Sequence, residues 1–165
     1  MKRMKRIFGM AAAVLLGVFV VQATAWAQHG PDALKGRIVG LWDVVVTIYD
    51  CTSGEMLFDP FPALHKYERG GSGQVVPATN PAGLSAHMLV WSHAGGYDYQ
   101  TSVKMFRFDP AGNYVGWTVV TSDVSLSADA NDYEGSGIAE FFNTGGIRLG
   151  ESCPTFTGTR FTAEY

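Results

Sequence analysis

Apolar and polar residues alternate with a period of two along most of the chain after residue 40, and a helical period is almost absent. The longest such stretch is GLWDVVVTIYDC at 40–51. Because successive side chains of a strand point to opposite faces, this pattern predicts strands with one buried face, separated by clusters of Gly, Asn, Asp and Pro. The predicted strands are Leu41–Cys51, Ala63–Arg69, Gln74–Ala78, Ala86–His93, Tyr97–Phe108, Tyr114–Ser122, Tyr133–Phe142 and Ile147–Thr162.

The segment before the first strand has a different character. Residues 1–6 carry four positive charges, residues 7–21 are an apolar run, and Ala25-Trp26-Ala27 follows. This order is typical of a secretory signal peptide, and about 15 apolar residues fall short of the ~20 that a spanning helix needs. We therefore predict a signal peptide at 1–27, a lead-in at 28–39 and a single domain at 40–165, exported to the periplasm or secreted.

Two cysteines, Cys51 and Cys153, remain after removal of that peptide. In an oxidising compartment such a pair is expected to form a disulfide, which brings the two Cα atoms within about 7 Å. Since short connectors predict antiparallel hairpins throughout, the first and last strands then become neighbours. The predicted fold is all-β, an eight-stranded antiparallel up-and-down barrel.

A register for the closing strands follows if Cys51 lies directly opposite Cys153. Trp42 is then opposite Thr162, and Arg160 is its diagonal neighbour on the same face. A guanidinium over an indole ring is a favourable contact of ~0.5–2 kcal/mol, depending on burial.

The chain resembles the calycin superfamily, and in particular lipocalins and a group of small exported bacterial relatives. The resemblance rests on Gly40-Leu41-Trp42 at the start of the first strand, on the hairpin FRFDPAG at 106–112, and on TGTRF at 157–161 with its arginine. In lipocalins the matching tryptophan and arginine close the base of the barrel. The resemblance therefore implies a lipocalin-like barrel in which Trp42 and Arg160 are structural residues.

Charge excludes some partners. After removal of residues 1–27, eight basic and fifteen acidic residues remain, a net charge of −7, and no basic stripe is present, so nucleic acid is not an expected partner. A membrane-spanning barrel needs one apolar face on every strand. Lys66 and Glu68 share one face of their predicted strand while His65 and Arg69 share the other, so no membrane insertion is expected.

The sequence does not identify catalytic residues or a cofactor. The four histidines are His29, His65, His87 and His93, and the last two, six positions apart on one strand, are about 20 Å from each other. That separation is too long for one metal ion, so no metal site is predicted. No G-x-S-x-G motif occurs, and the glycine clusters lie between strands rather than before a helix.

One face of the fourth predicted strand is the candidate ligand wall, since His87, Leu89, Trp91 and His93 share it. Its direction depends on the turn that follows. A two-residue turn at Gly95-Gly96 pairs His93 with Asp98 and His87 with Lys104, on a polar outer face. A three-residue loop pairs His93 with Tyr97, Trp91 with Tyr99 and His87 with Val103, in a cavity wall. Both turns are ordinary.

An eight-stranded barrel either fills its interior with side chains or holds one small ligand. Gly116, Gly135, Gly137 and Ala139 reduce side-chain volume in the later strands, which favours a cavity, although glycines also relieve bending at barrel corners. The aromatic and histidine residues of the middle strands supply the candidate ligand-binding set. Its members are His87, Trp91, His93, Tyr97, Tyr99 and Trp117.

Three functions are compatible with these features. The first is a barrel that binds a small, largely apolar molecule in its cavity. The second is a cofactor-independent cyclase or isomerase that acts on a small hydrophobic substrate, which a buried carboxylate or tyrosine on the cavity floor would favour. The third is a soluble structural or partner-binding barrel of the cell envelope, which a filled interior would favour. The oligomeric state is not predicted.

Overall fold

The computed structural model describes residues 36–79 and 83–162. The predicted signal peptide, most of the lead-in and His29 lie outside these residues. The described chain forms a closed barrel of eight antiparallel strands, each paired with the next and the last paired with the first. The strands are β1 (Gly40–Tyr49), β2 (Met56–Tyr67), β3 (Ser72–Pro77), β4 (His87–Gly95), β5 (Asp98–Phe108), β6 (Tyr114–Leu126), β7 (Asp132–Asn143) and β8 (Arg148–Arg160). The predicted fold class is confirmed.

The barrel closes through β1 and β8, as the cysteines predicted. Cys51 and Cys153 form a disulfide with their Cα atoms 5.1 Å apart. The predicted register is wrong by two residues, because Tyr49 rather than Cys51 is paired with Cys153, and Trp42 is directly opposite Arg160. A shift of two leaves every side chain on its expected face.

The register differs because β1 ends at Tyr49, two residues earlier than predicted. The Asp50 carboxylate accepts hydrogen bonds of 2.8 Å from the backbone N–H groups of Thr52 and Ser53. These bonds hold the pKa of Asp50 below its usual value. Gly54 completes the turn with a φ of 72°. Cys51 is therefore a turn residue whose side chain reaches a cysteine on the neighbouring strand.

Strand β2 begins at Met56 rather than at the predicted Ala63. Residues 56–60 are exposed on both faces, since this end of the hairpin extends past the barrel core. A segment without a buried face has no alternation by which a strand could be recognised. By contrast, β6 continues four residues beyond the predicted Ser122, with Val124 and Leu126 buried and Asp123 and Ser125 exposed.

The turn between β4 and β5 follows neither predicted geometry. His93 is paired with Tyr99, and a bulge then brings Gly95 opposite Asp98. Gly95 and Gly96 have φ values of 129° and 56°, which only glycine adopts readily. The resulting register has Trp91 opposite Thr101. This register differs by two residues from that of the three-residue loop, so each side chain keeps the face expected for that loop. The face that carries His87 and Trp91 therefore points into the barrel.

The interior is filled at one end. The largest fully buried side chains there, together the closed-end cluster, are Ile38, Trp42, Tyr99, Val124 and Tyr133. The rings of Trp42 and Tyr133 pack edge to face with their centroids 4.9 Å apart. The strand ends at the opposite side of the barrel bear half-exposed inward residues such as Ile48, Met105 and Phe141. The barrel is thus closed at one end and open at the other.

Candidate functional site

Trp42 and Arg160 hold the closed end together. The Trp42 indole N–H donates to the carbonyl of Ile38 at 2.9 Å. The Arg160 guanidinium lies over the indole ring, 4.2 Å from its centroid. It also donates to the carbonyls of Ala130 at 2.8 Å, Val39 at 3.0 Å and Arg37 at 2.5 Å. Arg160 thereby ties the last strand to the segment before β1 and to the β6–β7 connection, so both residues have positions suited to a structural role.

Above the closed-end cluster, the barrel contains a cavity of about 250 Å³ that extends toward the open end. All eight strands contribute to its wall, and most of the lining side chains are apolar. These apolar residues are Val46, Ile48, Phe61, Ala63, Val75, Pro77, Leu84, Leu89, Val103, Met105, Val120, Ala139, Phe141, Pro154 and Phe156. The interior is therefore filled at the closed end only, in contrast to the expectation for a purely structural barrel.

The floor of the cavity is a buried polar network. His65 and Tyr67 both line the cavity, and both rings contact Tyr133 below them, with centroids 6.2 and 6.3 Å from it. The Tyr133 hydroxyl and His65 Nδ1 are hydrogen-bonded at 2.7 Å. The network joins the closed-end cluster to the cavity.

Burial keeps every member of this network uncharged at neutral pH. Desolvation, and secondarily the neighbouring His87, lowers the pKa of His65 to about 4. Desolvation raises the pKa of Tyr67 and of Tyr133 above the usual value for a phenol. The cavity floor therefore presents neutral hydrogen-bonding groups.

His87 is on the cavity wall, two strands from His65, with Val75 between them. Its side chain is 6 % exposed, and burial lowers its pKa. Among the described residues, His87 Nε2 and Ser152 Oγ are buried side-chain atoms without a hydrogen-bond partner. Each buried polar atom without a hydrogen bond lowers the stability of the fold by about 1–3 kcal/mol. The middle of the cavity wall therefore has unused hydrogen-bonding groups.

The cavity reaches the ends of β3, β5 and β7 and the described residue Leu84, which precedes β4. We call Thr79, Leu84, Arg107 and Phe141 the mouth residues, since they line the cavity at this end. Leu84 forms an isolated bridge with Arg107, and the Arg107 guanidinium lies over the Phe141 ring, 5.4 Å from its centroid. Arg107 is the only charged residue among the described residues that line the cavity.

Of the six predicted ligand-binding residues, His87 alone lines this cavity. Trp91 points inward but at the closed end, where its indole N–H donates to the carbonyls of Glu68 and Ser72, both at 3.0 Å. Tyr99 belongs to the closed-end cluster and packs edge-on against Trp91, with centroids 5.9 Å apart.

His93 and Tyr97 lie farther along, at the β4–β5 turn. The His93 ring forms a hydrogen bond of 2.9 Å with the carbonyl of Gly96. The exposed Tyr97 ring has the Arg37 guanidinium 5.6 Å from its centroid. The inward face of β4 therefore has two parts. Its first residues, His87 and Leu89, line the cavity, and Trp91 packs at the closed end.

Trp117 lies on the outer face of β6, since its neighbour Thr118 is the residue that lines the cavity. It stacks on Phe142 with centroids 5.4 Å apart, and the Lys104 ammonium is 5.2 Å from its ring centroid. The sequence did not disclose this, because an aromatic residue fits either face of a strand and the register alone decides.

The glycines of the later strands accommodate close contacts. A Cβ at Gly116, whose φ is 136°, would collide with the carbonyl oxygen of Phe142. A Cβ at Gly135 would lie 2.6 Å from the Phe156 ring. These positions favour the interpretation that glycine permits bending and ring packing, whereas the neighbouring Ala139 does line the cavity.

Sequence reasoning missed His65, Tyr67 and Arg107 as wall residues. The alternation in LHKYER already placed His65 and Tyr67 on one face, but it did not say which face was inside. Arg107 lies within the FRFDPAG hairpin, where the phenylalanines on either side point outward. To place each of these side chains in the cavity wall, the register between neighbouring strands must be known, and the sequence shows only the alternation along each strand.

Metal-binding clusters and long apolar helices are absent from the described part of the chain. No group of three or more His, Cys, Asp or Glu side chains there is arranged to hold a metal ion. No helix in the same residues is long and apolar enough to cross a membrane. Comparison of the chain with protein-family models, with curated proteins and with solved structures found no match.

Proposed function

We propose that this protein binds a small, largely apolar molecule inside its barrel. The observation that carries the proposal is the cavity of about 250 Å³ with its mostly apolar wall. An apolar protein cavity of about 150 Å³ holds a benzene molecule, so this one encloses roughly ten non-hydrogen atoms. Transfer of an apolar ligand from water into such a site is favourable by about 25 cal/mol per Å² of buried apolar surface.

The proposal includes export and a relationship to the calycin superfamily. The disulfide between Cys51 and Cys153 supports an oxidising compartment, such as the periplasm or the extracellular space. The eight-stranded up-and-down barrel with an arginine over a tryptophan at its closed end supports a lipocalin-like protein. A soluble structural barrel is less well supported, because its interior would be expected to be filled.

Native mass spectrometry of the protein purified from its own host tests the binding function. We expect the wild-type protein to carry an additional small mass that is lost on denaturation. Val120→Phe adds a ring to the cavity wall and should abolish that mass. Val119→Phe is the matched control, since its side chain is on the outer face of the same strand. Repeated recovery of empty wild-type protein, or retention of the mass by Val120→Phe, would refute the proposal.

A second candidate function, a cofactor-independent cyclase or isomerase, is favoured by the tyrosines of the cavity floor. A buried neutral phenol is a preorganised donor toward an oxygen that gains charge during a reaction. The same purification distinguishes the two functions if Tyr67→Phe is included. An enzyme is expected to yield one compound from wild type and a chromatographically distinct isomer from the variant. A binding protein yields the same compound from both.

A further inference from the structure

We propose that the ligand of this cavity is an apolar anion, whose body lies among the apolar wall residues and whose anionic head group, such as a carboxylate, binds Arg107 at the mouth. This inference rests on the proposed binding function and specifies the class of molecule bound. It depends on three features of the site, which are the position of Arg107, its lack of an acidic partner, and the neutrality of the rest of the wall.

Arg107 occupies an inward position near the end of β5, two residues beyond Met105 in the same wall. Its side chain is half-buried. Contact of the guanidinium with the Phe141 ring, 5.4 Å from centroid to Cζ, holds the charge beside the cavity rather than in free solvent. The planar guanidinium has five N–H donors, and its geometry suits two parallel hydrogen bonds to a carboxylate.

No carboxylate of the described chain is paired with Arg107. The described ion pairs join Lys66 to Glu68 and Arg148 to Glu140 and Glu151. The acid nearest in sequence is Asp109. Its carboxylate instead accepts from the backbone N–H groups of Ala111 at 2.9 Å and Asn113 at 2.8 Å. Asp109 is thus engaged within its own turn.

Arg160 differs from Arg107 in this respect, since three backbone carbonyls accept hydrogen bonds from its guanidinium. Arg107 therefore retains donors that an incoming anion can use.

The remainder of the wall offers no competing charge. The described residues that line the cavity include no Asp, Glu or Lys, and burial keeps His65 and His87 neutral at pH 7. An ionised group deep in this wall would be desolvated without a partner, which is strongly unfavourable. The wall therefore orients an amphiphile, with its apolar end toward the floor and its negative end at the mouth.

Isothermal titration calorimetry with three probes of about ten non-hydrogen atoms tests this. The probes are octanoate, the neutral octanamide and the cationic octylammonium. We expect octanoate to bind about tenfold more tightly than octanamide, as a charge-assisted hydrogen bond allows, and octylammonium to bind most weakly. Arg107→Gln should lower octanoate affinity to that of octanamide, and Arg107→Lys should restore part of the difference. Lys104→Gln, which removes a cation from the outer face of the same strand, should leave the preference intact.

The outcomes separate the two proposals. If octanamide binds as tightly as octanoate, or if Arg107→Gln keeps the full preference, the anion inference is wrong while the binding function stands. If none of the three probes binds to folded wild-type protein, the binding function fails for molecules of this size and the anion inference fails with it. Circular dichroism of each variant confirms that the barrel is intact before titration.

Discussion

His65 is a residue whose chemistry is set by its surroundings. It lies between the closed-end cluster and the cavity, and Tyr133 supplies its hydrogen bond at Nδ1. Its pKa is lowered to about 4 because burial penalises the imidazolium form. Folding therefore requires the neutral ring, whereas the unfolded chain takes up a proton near the usual value of 6.5. Stability that depends on this residue must change with pH.

Stability should fall as pH is lowered from 7 to 5. In that window the unfolded state binds a proton at His65 and the folded state does not, so the free energy of unfolding decreases by about 2 kcal/mol. His87, whose pKa is lowered by burial, contributes in the same direction. Urea unfolding at the two pH values measures the change. His65→Gln should reduce the dependence, whereas Val75→Ala should destabilise the protein equally at both pH values. An unchanged pH dependence in His65→Gln would contradict this account.

The pairing of β1 with β8 depends on contacts that extend beyond its backbone ladder. Arg160 is the last residue of β8, and its three hydrogen bonds reach segments on both sides of the barrel base. The same guanidinium covers Trp42, which is completely buried. One side chain thus joins the closing strands, the lead-in turn and the β6–β7 connection.

Arg160→Met should destabilise the barrel by about 2–4 kcal/mol, since it removes three charge-assisted hydrogen bonds and the contact with the indole. Guanidinium chloride unfolding followed by tryptophan fluorescence measures the loss. Arg148→Met is the matched control. Arg148 forms ion pairs with Glu140 and Glu151, but it is exposed, and such pairs contribute up to about 1 kcal/mol. Equal losses in the two variants would show that Arg160 has no special role.

The strands themselves could be predicted because each carries a period of two over many residues. The period of two does not determine the register between neighbouring strands. At β1 the Asp50 turn moved the register by two residues, and at β4 a bulge at Gly95 replaced both turn geometries considered. The shift at β1 kept the parity, so the face of Trp42 could be anticipated, whereas the two turns at β4 differ in parity and left the face of His87 open. Trp117 was placed at the ligand site without a register, and it lies outside.

At the scale of the whole molecule, the two ends of the barrel differ in what the sequence reveals. The closed end is built from large residues with specific partners, and Trp42 and Arg160 already indicate it in the sequence. The cavity is defined by space between side chains on eight strands. Its volume depends on which inward residues are small and on where the aromatic rings turn. That information appears only when all registers are combined, so Arg107 and His65 could not be chosen from the sequence.

Closure of the whole chain also rests on the disulfide, which joins residues separated by 102 positions. In the folded barrel β1 and β8 are already held by a ladder from Trp42 to Tyr49, so the bond acts mainly by restricting the unfolded chain. For a loop of about 100 residues this restriction is worth about 4–5 kcal/mol.

Replacing both cysteines with serine should therefore lower the free energy of unfolding by about 4 kcal/mol while leaving the far-ultraviolet circular dichroism of the folded state unchanged. The denaturant slope should increase, because the open chain exposes more surface on unfolding than the cross-linked one. Wild-type protein unfolded in the presence of a reductant should show the same midpoint and slope as the double variant. If the variant instead loses its folded-state spectrum, the bond is needed to hold the barrel closed, and the ladder between β1 and β8 is too weak to do so alone.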